Sequence, residues 1–314
     1  MSALSSEPSS APSSAPSSAP SYVGRFAPSP TGPLHFGSLT SALASFIHAR
    51  QNKGKWLVRM EDIDPPREVA GASDQILQQL DDHGLHWDDA VLYQSSRLDS
   101  YKQALDNLWN QGLVYHCQCN RQRINSLGGV YDGQCRHLQL SASGNATRVI
   151  INNPDKKISF VDQIMGTYQQ QLSTQAGDFV IQRRDQLFSY QLAVVVDDQF
   201  QAISHIVRGE DLLDATPRQL YLQQCLGYNQ PTYSHLPLVL NSQGQKLSKQ
   251  NLATGLRAGN ESQNLWQALR WLQQSPPEPL QWQSVSDILT WAINHWDSRI
   301  LAENPQNALV PDGY

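Results

Sequence analysis

The stretch Arg25-Phe26-Ala27-Pro28-Ser29-Pro30-Thr31-Gly32-Pro33-Leu34-His35-Phe36-Gly37-Ser38-Leu39 decides how the rest of the chain reads. Beyond Gly37 the apolar positions Leu39, Ala42, Leu43, Phe46 and Ile47 recur at helical spacing, the stripe of a helix buried on one face. The Pro- and Gly-rich loop before it therefore delivers His35 and Gly37 to a helix N-terminus. There, free backbone N–H groups and the macrodipole favour a phosphate. Taken alone, the segment reads equally well as a Pro-rich turn ahead of an ordinary amphipathic helix.

Working outward, Trp56-Leu57-Val58-Arg59-Met60 has the pattern of a short strand and runs into the acidic group Glu61, Asp62 and Asp64. A helix follows with Ile76, Leu77 and Leu80 on its face and Gly84 as its stop. A second spans about Leu98 to Gln111, with Leu98, Tyr101, Leu105, Leu108 and Trp109 at helical spacing. Strands alternating with helices of this length predict an α/β domain built on a parallel sheet. From about Gly112 to Gln182 the character changes to close cysteines, polar loops and short runs such as Arg148-Val149-Ile150-Ile151. Leu192-Ala193-Val194-Val195-Val196 then reads as a fully buried strand, and Ala202 to Val207 as another leading into Arg208-Gly209-Glu210-Asp211. This is an α/β domain resumed after an insertion. Asp62, Asp64, Asp197 and Asp198 follow these apolar runs and read as caps or turn residues. Past Asn241 two helical faces are expected, Leu265, Trp266, Leu269 and Leu272 on one and Val285, Ile288, Leu289, Ala292 and Ile293 on the other, with the Trp residues as core.

A chain of 314 residues buries a substantial core and has room for two domains. With 16% charged residues and no apolar run long enough for a bilayer, a protein without membrane spans is expected. Residues 1–21 repeat Ser, Ala and Pro, a composition that cannot offset its ordering entropy, and they lack the regions of a secretory signal. Four cysteines make no disulfide framework at this length and point to a reducing cytoplasm. The net charge of −5 argues mildly against a nucleic-acid partner, although a local basic face outweighs the sum.

A second phosphate-type signal lies far from the first. Asn241-Ser242-Gln243-Gly244-Gln245-Lys246-Leu247-Ser248-Lys249-Gln250 is a polar loop with two Lys and a Ser behind the apolar stretch Leu236 to Leu240. Lysine suits a phosphate whose charge changes during reaction, but alone this is a solvated surface loop. The pair changes that reading. An HxGx loop opening the first helix of an α/β domain, followed some two hundred residues later by KLSK, resembles the two signature motifs of class I aminoacyl-tRNA synthetases. Arg25 to Gly32, Gln94-Ser95-Ser96-Arg97, Gly177 to Ile181, Tyr190 to Asp198 and Arg208 to Leu213 narrow the resemblance to the catalytic half of glutamyl-tRNA synthetases, from about Tyr22 to Gln250. Only the 64 residues from Asn251 to Tyr314 follow, too few for that family's helical anticodon-binding domains. A stand-alone catalytic half resembles instead the glutamyl-queuosine tRNA(Asp) synthetases.

The resemblance implies a Rossmann-type parallel sheet in two halves, 22–111 and 186–240, with an inserted zinc-containing subdomain at 112–185. The KLSK loop and a C-terminal helical region occupy 241–314. It implies activation of L-glutamate by Mg2+-ATP and transfer to the queuosine base of tRNA(Asp), by a cytoplasmic monomer. Cys117, Cys119, Tyr131 and Cys135 match the family's zinc ligands. Cys117 and Cys119 are too close for an easy disulfide and suit one tetrahedral ion, whereas by chemistry alone His116 or His137 competes with Tyr131 as the fourth ligand. Cys225 reads as an inert buried thiol. His35, Lys246 and Lys249 are the implied catalytic groups, with Gly37 and Ser248 also on ATP. Arg25, Ser29, Glu61, Tyr190 and Arg208 are the implied glutamate residues: Arg25 for the side-chain carboxylate, by the fork of its guanidinium, and Glu61 for the α-ammonium. Arg208 and Glu61 read equally well as ion-pair partners at strand ends. Ser38 stands where many class I members carry a second His, so the phosphates must lean more on backbone N–H groups and lysines. Two competing expectations are a truncated enzyme charging the 3′ end of tRNA(Glu), and a catalytically silent paralogue that binds RNA.

Overall fold

The computed structural model describes residues 22–155, 157–247, 254–306, 308–311 and 314. The Ser/Ala/Pro tail, Ser248, Lys249 and Gln250 lie outside the described residues. In chain order the first region comprises β1 (Val23–Phe26), α1 (Phe36–Gln51), β2 (Lys55–Met60), α2 (Ala72–Asp82), β3 (Leu92–Tyr93) and α3 (Leu98–Asn110). Then come β4 (Val114–Cys117), α4 (Arg121–Ser126), β5 (Ala146–Val149), β6 (Lys157–Asp162), β7 (Gly166–Gln171), α5 (Leu172–Gln175) and β8 (Val180–Gln182). The chain continues through α6 (Tyr190–Phe200), β9 (His205–Gly209), α7 (Thr216–Leu226), β10 (Thr232–Leu236) and β11 (Val239–Leu240). It closes with α8 (Glu261–Trp271), α9 (Val285–His295), α10 (Arg299–Glu303) and β12 (Ala308–Leu309).

β1, β2 and β3 pair in parallel, as do β9, β10 and β6, with β7 returning antiparallel along β6. The two parallel groups meet where Ser204 N donates to Val23 O, placing β9 beside β1. The order 3-2-1-9-10-6 reverses between β1 and β9, and the crevice at such a switch point, off the carboxyl ends of the strands, is where α/β sheets bind ligands. Side chains alternate across β2: Trp56, Val58 and Met60 join one core with α1, α8 and α9, while Leu57 joins a second core with α3, α6 and α7. Helices thus cover both faces of the sheet. β4, β5 and β8 form a separate antiparallel sheet.

Several expectations need correction. Leu192–Val196 is not a strand but the middle of α6. A continuous apolar run carries no periodicity to separate a buried strand from a helix buried all round, and Leu192 to Asp198 are all buried. Asp197 and Asp198 are consequently neither caps nor turn residues. They sit inside that helix as buried carboxylates. The next strand begins at His205 rather than Ala202, which adopts φ +51° in the preceding turn. Leu98 and Trp109 lie at the exposed edge of α3, where Trp109 packs on His116. Trp266 and Trp296 are core as expected, but Trp282 is exposed. Cys225 is half-buried on α7 rather than buried.

Candidate active site

A cavity of about 660 Å³ opens at the switch point, lined by the loop after β1, the start of α1, Glu61, Tyr190, Arg208 and Lys246. The loop is held from both sides. Glu61 N donates to Pro28 O, and Leu34 N donates to the side chain of Gln79 on α2. His35 is the N-cap of α1: its Nδ1 accepts from Ser38 N at 3.3 Å while Ser38 Oγ accepts from His35 N at 2.8 Å. This reciprocal capping box explains what Ser38 contributes, since it fixes the imidazole at the mouth of the helix. A Cβ on Gly37 would lie 3.3 Å from the His35 ring, so glycine lets the ring lie flat against the first turn. No acidic residue occupies that turn, which leaves the positive helix end facing the cavity.

At the other end of the cavity Arg25 and Arg208 are both buried. Arg25 forks onto Asp198 of α6 through Nε (3.2 Å) and Nη2 (3.3 Å), leaving Nη1 for another acceptor. Arg59, wholly buried on β2, donates to the same carboxylate at 2.8 Å. Burial opposes ionisation of Asp198, but the two guanidiniums overcome it and hold its carboxyl below the usual range. Asp197 anchors the neighbouring wall, accepting from Gln94, Arg97 and Tyr101. Arg208 has only neutral partners among the described residues: His235 Nε2, Tyr190 Oη, Thr216 Oγ1 and Gln219 Oε1, at 2.7–3.3 Å. It is therefore not an ion-pair partner at a strand end but a buried cation without a counter-ion.

Glu61 is a buried carboxylate with a loosely held counter-ion. Its Oε1 has no hydrogen-bond partner, and the nearest guanidinium nitrogen, on Arg59, is 3.8 Å away. Burial pushes its carboxyl up to about 7, only partly opposed by Arg59 and Arg25. Burial likewise raises the Tyr190 phenol. Ser29 is exposed at the cavity rim. Lys246 also lines the cavity and reaches Asp211 at 2.5 Å. Thus His35, Gly37, Arg25, Ser29, Glu61, Tyr190, Arg208 and Lys246 surround one space, while Ser248 and Lys249 fall outside the described residues. The sequence reading missed Asp198 and Arg59, whose only local sign was an acidic pair closing an apolar run, and His235, which carried none.

The second cluster lies by the β4–β5–β8 sheet. The Sγ atoms of Cys117, Cys119 and Cys135 lie within 4.8 Å of one another, and Cys119 and Cys135 are 3.6 Å apart. Sulfurs around a tetrahedral ion with 2.3 Å bonds stand about 3.8 Å apart. Buried Tyr131 points its hydroxyl into the group, 3.4 Å from Cys117 Sγ and 3.7 Å from Cys119 Sγ. His116 turns away to Trp109 and Thr147, and His137 is exposed outside the cluster, so geometry favours Tyr131 over either. Burial raises the Cys117 thiol, but hydrogen bonds with Tyr131, the Cys119 backbone and Arg148 bring it below the ordinary value, whereas burial raises the Cys119 thiol and the Tyr131 phenol. The donor set fits a structural zinc.

The family model for the catalytic domain of class I tRNA synthetases (E and Q) matches residues 22–270. The fold is that of a class I synthetase catalytic domain, mixed α/β with parallel strands. A solved glutamate tRNA ligase from Elizabethkingia meningosepticum CCUG26117 has the same fold, with a TM-score of 0.74 at 24% identity over 88% of this chain. The chain spans 65% of that structure. The glutamyl-Q tRNA(Asp) synthetase of Serratia proteamaculans is 52% identical over 275 residues, covering 88% of this chain and 90% of that protein. Its counterpart in Escherichia coli K12 is 50% identical over 289 residues, 92% of each. The chain belongs to the glutamyl-Q tRNA(Asp) synthetase family. Among the described residues no helix is long and apolar enough to cross a membrane.

Proposed function

We propose that this chain activates L-glutamate with ATP and transfers it to the queuosine base in the anticodon of tRNA(Asp). The observation that carries the glutamate half is the polarity of the cavity: two buried guanidiniums with donors to spare, and one buried carboxylate, Glu61, whose Oε1 accepts no hydrogen bond. That is the complement of a small molecule with two carboxylates and one ammonium. Arg25, stiffened by Asp198, takes the side-chain carboxylate. Glu61 takes the α-ammonium, and Tyr190 and Arg208 take the remaining oxygens, with Ser29 at the rim. The α-carboxylate attacks the α-phosphorus and pyrophosphate leaves, giving glutamyl-adenylate. His35 and Lys249 hold the phosphate charge as it develops, helped by N–H groups at Gly37, and Lys246 and Ser248 support the loop. Mg2+ accompanies ATP and neutralises phosphate charge. A hydroxyl of the queuosine cyclopentenediol then attacks the activated carbonyl and AMP leaves.

In this reading 22–111 and 186–240 form the catalytic halves, with β6 and β7 extending their sheet. Residues 112–185 carry the zinc held by Cys117, Cys119, Tyr131 and Cys135, which ties loops too small for a core of their own. Residues 241–314 supply the KLSK loop and helices that brace α1. The protein is a cytoplasmic monomer. Glutamate-dependent exchange of pyrophosphate into ATP without tRNA tests the first step. No exchange, or equal exchange with glutamine or aspartate, overturns it. Transfer to tRNA(Asp) that carries queuosine and not to tRNA(Asp) lacking it tests the second, and charging of tRNA(Glu) at its 3′ end refutes it.

A further inference from the structure

Behind Arg208, away from the cavity, His235 of β10 and Asp162 at the end of β6 form a dyad with no exposed side-chain surface. His235 Nδ1 lies 2.6 Å from Asp162 Oδ2, and Asp162 also accepts from the backbone N–H groups of Ile164, Met165 and His235. So many donors hold the Asp162 carboxylate ionised, its pKa lowered although burial opposes this. An ionised Asp162 makes Nδ1 the protonated nitrogen. Nε2 then presents a lone pair, and Arg208 Nε donates to it at 3.0 Å. Thr216 Oγ1 is 3.2 Å away but its proton serves Leu212 O, so it leaves that lone pair free for Arg208. The network thus fixes one tautomer.

We propose that Asp162 and His235 act as a positioning relay for Arg208, holding its guanidinium so that its Nη1 edge faces the substrate, and that a neutral His235 is required for glutamate binding. This rests on Arg208 contacting glutamate, as proposed above. A protonated His235 would turn its only acceptor into a donor aimed at a guanidinium. The charged groups facing the ring are Asp162, Arg208 and Asp211; burial lowers the His235 pKa, Arg208 lowers it further, and the two carboxylates oppose them. Neutral His235 therefore persists through the physiological range, and the relay fails only in acid.

Two substitutions separate positioning from packing. His235→Asn retains a donor to Asp162 near the Nδ1 position and removes the acceptor for Arg208. His235→Gln reaches the Nε2 position with an acceptor oxygen. In glutamate-dependent pyrophosphate exchange, His235→Asn should raise KM for glutamate about tenfold or more, equivalent to about 1.4 kcal/mol, with KM for ATP unchanged. His235→Gln should recover most of that loss. Asp162→Asn should match His235→Asn, because an amide nitrogen facing Nδ1 moves the proton to Nε2. In the 15N-labelled full chain, imidazole correlations of wild type, with His235 assigned by its absence from the Gln variant, should show a ring that is neutral at about pH 7 and above and carries its proton on Nδ1. An Nε2–H ring in that spectrum, or an unchanged glutamate KM in a folded His235→Asn protein, overturns the relay. A wild type with no glutamate-dependent exchange overturns the functional reading instead.

Discussion

Replacing Glu61 by Gln keeps the side-chain shape and removes a charge that the folded protein holds against burial. Lifting a carboxyl from an ordinary 4.5 to about 7 makes its ionised form cost about 3 kcal/mol in the fold. The folded-state pKa lies above the unfolded one, so the stability Glu61 contributes is complete below about pH 4.5 and is lost as pH rises to about 7. Glu61→Gln does not titrate. Relative to the variant, wild type should therefore lose about 3 kcal/mol between these limits and none beyond them. The same substitution removes the acceptor proposed for the α-ammonium, so activity should move the other way, with a glutamate KM at least tenfold higher in pyrophosphate exchange. Urea unfolding at about pH 4.5, 6 and 8, run beside exchange kinetics, reads both. A variant less stable than wild type at pH 8, or a difference independent of pH, would refute the reasoning about burial. A wild-type KM would refute the role.

Asp198→Asn leaves Arg25 and Arg59 buried with one weakened acceptor between them, and should lower unfolding stability by about 3 kcal/mol or more and raise glutamate KM; urea unfolding with exchange kinetics checks this. Gly37→Ala places a methyl 3.3 Å from the His35 ring, so exchange should slow between about ten- and a hundredfold while circular dichroism stays unchanged. Protein purified without chelators should hold about one zinc per chain, and Cys119→Ser should lose it together with the protection of amides in β4 and β5; less than about half an equivalent in wild type counts against the four-ligand site.

Much of the site was legible because it lies in short continuous segments. The loop from Arg25 to Ser38 and the Lys246 loop announce themselves by composition, and the order of motifs along the chain was enough to suggest the family. Cys117 and Cys119 are readable from spacing, whereas Cys135 and Tyr131 enter only through resemblance; in the fold the Tyr131 hydroxyl points at Cys117 Sγ while His116 packs on Trp109.

What the chain alone determined is therefore the set of chemical groups and the local elements that present them. What tertiary structure decided is which groups stand beside one another and in what medium. Arg25 meets Asp198 across 173 positions, and Arg208 meets His235 only because β9 and β10 pair. Leu192 to Asp198 became a helix because the surrounding core accepts one there, an outcome local periodicity does not encode. The state of Glu61 follows from the water that folding excludes. A carboxyl's affinity for its proton is set by its surroundings, and those surroundings come from strands and loops far apart in the chain.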